Sequence, residues 1–248
     1  MEIIKTEHLY KSYTDQGEKN DVLKNINLSI EKGEFVAVMG PSGSGKTTLL
    51  FCMSGMDRAD QGSILFENYN LSECSEDELA KLRSSKMGYI FQQPSLLKNL
   101  NILDNIILLS VRAKKKRKQD ILDQAENLMR KTGILELKDR DITKVSGGQL
   151  QRAGICRALM NEPSILFCDE PTGALNSKAS DEIIDLISEI HKEGTTILLV
   201  THDRKVAARA DRVLFMKDGE IHSEINLSAK ISKERIQIVT EKMEELEI

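Results

Sequence analysis

FVAVMGPSGSGKTT, Phe35 to Thr48, is the stretch on which the fold turns: five apolar residues, a glycine-rich turn, then a Lys-Thr-Thr run that opens the helix-forming segment TLLFCMSG. The turn from Gly40 to Thr48 fits G-x-x-x-x-G-K-[ST] and lies where a strand passes into a helix. Gly40, Gly43 and Gly45 let the backbone curl so that successive N–H groups and a helix N-terminus face one anion. Lys46 adds positive charge near the β and γ phosphates of a nucleotide, and Thr47 supplies a hydroxyl for Mg²⁺. Ser42, Ser44 and Thr48 belong to the same turn and are assigned with it to the phosphates. Such a loop identifies a phosphate site without choosing among the enzyme classes that use one.

Two further strand ends supply what hydrolysis would need. Ser164 to Glu170, SILFCDE, is an apolar strand ending in two carboxylates. Asp169 is placed to hold Mg²⁺ through its water shell, and Glu170, one residue further on, to orient or deprotonate the water that attacks the γ phosphate. His202 follows TTILLVT at a third strand end, the side on which α/β sheets bind ligands, and is read as a γ-phosphate sensor. His8, His191 and His222 lack such a setting and are read as structural.

Around these motifs apolar runs alternate with helix-period segments, which implies an α/β fold with a largely parallel sheet. Phe35–Met39, 165–168, 196–200 and 213–216 are read as core strands, and Ile26, Leu28 and Ile30 alternate with polar residues as in an N-terminal antiparallel ribbon. From Ser75 to Thr132 the pattern is helical (75–86, 103–111, 119–130), pointing to an inserted helical subdomain, placed roughly at 93–160. Ile183, Leu186, Ile187 and Ile190 mark a later helix that Gly194 ends. Residues 2–225 are taken as one domain and 226–248 as a helical extension that packs on the core.

Composition narrows the setting. The longest apolar runs fall far short of the roughly 20 residues that span a bilayer, and MEIIKTEHLY has no basic start or apolar stretch, so export is not expected. Four scattered cysteines without a C-x-x-C pair indicate neither a zinc site nor a disulfide framework. A net charge of −4 argues against nucleic acid as a partner. The basic run RAKKKRK, Arg112 to Lys118, is read as a solvated loop; proximity to an anionic membrane surface is the sharper alternative.

Val145 to Arg152, VSGGQLQR, places a serine and two glycines at the start of another helix, a second anion site with no phosphate of its own to bind. This resembles the signature motif of the ABC ATPases. The resemblance extends over residues 2 to 222, through Tyr13 in LYKSY, Gln92 in YIFQQPSLL and the loop GALNS. It implies a P-loop NTPase core and an ATPase that uses ATP and Mg²⁺. Two copies would sandwich the nucleotide, with Ser146, Gly147, Gly148 and Gln149 of one covering the γ phosphate held by the other. Tyr13 would stack on adenine, and Gln92 would touch Mg²⁺ and the attacking water while its loop senses an integral-membrane permease. The chain would then sit peripherally on the cytoplasmic face of the cell membrane, attached through that permease. GALNS departs from the family's usual A-L-D by placing Asn176 where an aspartate is common, which weakens the expected communication between sites. The stretches 88–106 and 169–180 are most similar to the group serving lipoprotein release, macrolide export, cell-division signalling and bacitracin-type peptide resistance, with a lean towards the last. A soluble ABC ATPase of translation or DNA repair is the alternative, although one phosphate loop, one signature and no long heptad stretch speak against it.

Overall fold

β1 (Glu2–Asp15) and β2 (Glu18–Glu31) pair antiparallel, with Ile4 opposite Ile30 and Thr6 opposite Leu28. The computed structural model describes residues 1–15, 17–113 and 117–248; residues 114–116 of the basic run lie outside the described residues. On β2 the inward side chains Ile26, Leu28 and Ile30 are buried while those between them face outward, the two-residue period of a sheet with one wet face. β4 (Gln61–Phe66) and β5 (Tyr69–Asn70) complete this first sheet in the order β2-β1-β4-β5.

The second sheet runs through the middle of the molecule. β3 (Phe35–Met39) is buried at every residue because it lies between β8 (Thr196–Thr201) and β9 (Arg212–Lys217), both parallel to it. β7 (Ile165–Asp169) and β6 (Met87–Ile90) extend the sheet on one side, and β10 (Glu220–Asn226) closes the other as its antiparallel edge. Strands covered on both faces read as continuous apolar runs, so β3, β7, β8 and β9 were visible in the sequence, whereas the edge strands β6 and β10 were not read there.

Helices fill three cores. α1 (Lys46–Met53) and α2 (Glu76–Lys86) lie between the two sheets, with Leu49, Leu50, Leu79 and Leu82 packed against Val36, Phe66 and Phe167. The helix at 75–86, read as the first of the inserted set, thus belongs to the layer between the sheets. α3 (Ile102–Ala113) and α4 (Lys118–Lys131) pack with α5 (Gly147–Leu159) around Ile106, Ala125, Met129 and Cys156 in a core of their own. α6 (Ser177–Lys192), α7 (Arg204–Ala207) and α8 (Ser232–Leu246) cover the opposite face of the central sheet, where Ile183, Ile187, Val206 and Val239 meet Ala37, Leu199 and Phe215. Among the described residues no helix is long and apolar enough to cross a membrane.

Candidate active site

Parallel neighbours β3, β8 and β7 end together, with Met39 opposite Thr201 and Asp169 opposite Val200. The loops that leave them therefore meet at one edge, where open α/β sheets bind ligands. After β3 the chain turns so tightly that a Cβ on Gly40 would lie 2.0 Å from the carbonyl oxygen of Met216. Gly45, at φ 98°, caps α1 in the left-handed region, and a Cβ there would press on the Val22 carbonyl at 2.8 Å. Only glycine fits both positions. Gly43, the third glycine assigned to the phosphates, differs from these two: among the described residues a Cβ there would meet nothing within 4 Å, so none of them demands glycine. Its requirement is the backbone alone, held at φ 82° at the open tip of the turn.

Lys46 folds back over this turn and donates from Nζ to the carbonyls of Gly40 and Pro41, both at 2.8 Å. Burial pulls its pKa down, opposed by the Glu170 and Asp169 carboxylates. The hydroxyl of Ser44 is buried and, among the described residues, without a hydrogen-bond partner. A buried cation satisfied only by carbonyls and an orphaned hydroxyl in a glycine turn fit a phosphate group. Thr47 donates from Oγ1 to Asp169 Oδ1 at 2.9 Å. Burial pushes the Asp169 carboxyl up, the Thr47 hydroxyl opposes this, and neighbouring Glu170 adds to it. A hydroxyl and a poorly solvated carboxylate side by side fit a hard divalent cation such as Mg²⁺.

Glu170 is held in a conformation that non-glycine residues seldom adopt, φ 44°. Such strain costs about 1–3 kcal/mol and persists where surrounding contacts over-determine it. Those contacts are specific: Glu170 Oε1 lies 2.9 Å from His202 Nδ1, and Thr201 donates from Oγ1 to Glu170 Oε2 at 3.3 Å. Glu170 is largely enclosed, its side chain 16% exposed, whereas His202 projects outward at 66%. The backbone amide of Asp203 donates to the same Thr201 hydroxyl at 3.0 Å. Thr201 was missed in the sequence, where it reads as the last residue of an apolar strand.

The other expected site residues stand apart from this edge or are engaged otherwise. Tyr13 donates its hydroxyl to Asp57 Oδ2 at 2.6 Å, and Lys11 Nζ lies 4.8 Å from the ring centroid. Burial first, then the Asp57 carboxylate, pushes the phenol up to about 12. Gln92 packs over the turn after Glu170, so close that a Cβ on Gly173 would lie 2.7 Å from its Nε2. Its loop is tied to α5: Gln151 donates to the Phe91 carbonyl at 2.9 Å and Arg157 to the Ser95 carbonyl at 2.7 Å. These ties escaped the sequence reading, although a glutamine among the buried residues of α5 was a signal.

Ser146 caps α5, its Oγ accepting from the Gln149 amide while the Gln149 side chain accepts from the Ser146 amide. Gly147 and Gly148 line an open cavity of about 540 Å³ with Leu175, Asn176 and Arg152, and no phosphate-loop residue lines it. Asn176 accepts from the Ala179 amide at 3.0 Å and so caps α6. Asparagine caps as well as aspartate does, so the departure at this position leaves the start of α6 intact.

A phosphate loop, an acidic pair and a histidine on three adjacent parallel strands define a P-loop enzyme that hydrolyses a nucleotide. The family described as ABC transporter matches residues 23–173. The bacitracin export ATP-binding protein BceA of Halalkalibacterium halodurans is 41% identical over 228 residues, 91% of this chain and 89% of that protein. The macrolide export ATP-binding/permease protein MacB of Campylobacter fetus is 42% identical over 229 residues, 92% of this chain but only 36% of that protein's length. The dimeric post-hydrolysis structure of the ATP-binding cassette MJ0796, bound to ADP and Pi, superposes with a TM-score of 0.84 at 35% identity, covering 90% of this chain and 98% of that one. The chain belongs to the ABC transporter family. It is an ATP-hydrolysing nucleotide-binding subunit of an ABC transporter.

Proposed function

We propose that this ATPase works as one half of an ATP-dependent homodimer that drives a separate integral-membrane permease, held peripherally at the cytoplasmic face of the membrane. The observation that carries the dimer is the capped, glycine-faced N-terminus of α5, which opens on a cavity that no phosphate-loop residue of the same chain lines. A helix N-terminus of this kind favours an anion. A γ phosphate held by a second copy is the ligand that this reading supplies to Ser146, Gly147, Gly148 and Gln149.

Within each site Lys46 and the amides of 40–48, those of Gly40, Gly43 and Gly45 included, orient the ATP phosphates together with the Ser42, Ser44 and Thr48 hydroxyls. Thr47, Asp169 and Gln92 would hold Mg²⁺, which would offset phosphate charge. Glu170 takes a proton from the attacking water as the bond from the γ phosphorus to ADP breaks, and His202 fixes the Glu170 carboxylate through Nδ1. Tyr13 is the platform for adenine. We read 2–225 as the ATPase domain, with 93–160 as its helical insertion and 226–248 as an extension. The separate core around α3, α4 and α5 supports that division.

Likeness to BceA over nearly the whole of both chains favours peptide resistance as the task, with macrolide export or lipoprotein release second. The test is to recover tagged Glu170→Gln protein with ATP from gently solubilised membranes and identify what accompanies it. A membrane permease supports the reading; ribosomal or DNA-repair proteins in its place would overturn it.

A further inference from the structure

His202 projects from the strand-edge site, and its ring pairs with Glu170. One hydrogen bond does not fix a projecting ring, so the position of His202 depends on the backbone on either side. Upstream that backbone is β8, in the middle of the sheet. Downstream it is α7, a helix of four residues. A single turn cannot hold itself helical in water, so its conformation must come from packing.

That packing is supplied by α8. Val206 and Ala207 of α7, and Ala208 and Ala210 just after it, are buried in one cluster with Val239 of α8, which is itself fully buried. Ile238 and Met243 flank Val239 in that cluster. Arg235 reaches across from α8 to donate to the Ala210 carbonyl at 3.2 Å and to the Lys230 carbonyl at 3.1 Å. At the far end Lys217, the last residue of β9, donates to the Leu246 carbonyl at 3.1 Å, so α8 is anchored at both ends. Ile236, on the first half of α8, lines the same cavity as Glu170, His202 and Val206.

We propose that α8 is a brace for α7, and that Val239 and Arg235 are positioning residues which hold His202 in register with Glu170. The inference deepens the roles given to Glu170 and His202 and rests on them. It predicts that the C-terminal segment sets the rate of hydrolysis without touching nucleotide.

The test uses the full-length chain, with steady-state ATPase rates normalised to the number of nucleotide sites titrated by a fluorescent ATP analogue. Val239→Ala is expected to lower kcat about tenfold with KM for ATP within about twofold, since a shift of an ångström in a catalytic group costs up to about a hundredfold. Arg235→Ala is expected to lose about threefold, and Arg235→Lys, which keeps a donor, to recover most of it. The deciding measurement is the double variant: in a His202→Ala background Val239→Ala should add no further loss, because the brace acts through that ring. A purely structural role would multiply the two losses. Full activity in Val239→Ala, or losses that multiply, overturns the brace while leaving the role of His202 in place. Full activity in His202→Ala refutes the role of His202, and the brace with it. Arg235→Ala removes no core volume and carries the same cycle should Val239→Ala fail to fold.

Discussion

Replacing Thr201 by valine would keep the shape of a fully buried side chain and remove one oxygen. That oxygen has two partners: it donates to Glu170 Oε2 at 3.3 Å and accepts from the Asp203 amide at 3.0 Å. The bond to Glu170 is long, so its loss should raise the barrier to hydrolysis by about 1 kcal/mol, a factor of about five in kcat. The Asp203 amide loses its acceptor, which costs about 1–3 kcal/mol of folding stability if nothing replaces it. The Thr201 hydroxyl bonds to Glu170 and to the Asp203 amide, neither in the phosphate loop that holds ATP, so KM for ATP should stay within about twofold. Steady-state ATPase measurements with a thermal melt would check all three quantities. An unchanged kcat alongside a lowered melting temperature would show that the Thr201 hydroxyl only anchors the Asp203 amide, and would refute the claim that it aims Glu170.

Other outcomes follow from contacts elsewhere in the fold. His191 lies 3.0 Å from Asp211, and that hydrogen bond holds its pKa above the usual histidine value. Its contribution to stability is complete below about pH 6.5 and is lost as pH rises through the raised folded value. Melting temperature should therefore fall across that window in the parent and stay flat in His191→Gln; equal slopes would exclude the pair as the cause. Asn176→Ala should cost about 1 kcal/mol by uncapping α6, whereas Asn176→Asp should be neutral within about 0.5 kcal/mol, as read by denaturant unfolding. Gln151→Leu leaves the Phe91 carbonyl without its donor and should loosen the 91–95 loop, visible as faster amide hydrogen exchange there than in β6; unchanged exchange would show that the tie is incidental.

The parts of the fold that were readable are those whose cause is local. β3, β7, β8 and β9 are covered on both faces, so each appears as an uninterrupted apolar run, and the α6 stripe Ile183, Leu186, Ile187, Ile190 carries the helix period openly. The residues gathered at the strand edge were readable for a related reason: Lys46, Asp169, Glu170 and His202 each lie at the end of such a strand or in the turn after it. Within the phosphate loop the motif fixes Gly40 and Gly45 and leaves Gly43 at a free position, and the structure gives the three different reasons: crowding at Gly40, crowding and a left-handed backbone at Gly45, and the backbone alone at Gly43. What stayed hidden is what distant segments do to each other. Nothing local in Thr201 announces two partners in different loops, and nothing in Gln151 points to Phe91, 60 residues away in sequence. The helix at 76–86 carries a sound capping box, Ser75 with Glu78, so its existence was legible. Its place between the two sheets was not, because an amphipathic stripe says that a face is buried and not against what.

The glycine-faced end of α5 is proposed to complete the nucleotide site of a second copy. Glu170→Gln should bind ATP without hydrolysing it, so the decisive experiment is light scattering of that variant with ATP and Mg²⁺. A shared site gives twice the monomer mass with ATP, the monomer mass with ADP, and the monomer mass with ATP once Ser146→Arg is added. A monomer at saturating ATP, or a dimer indifferent to Ser146→Arg, would contradict it.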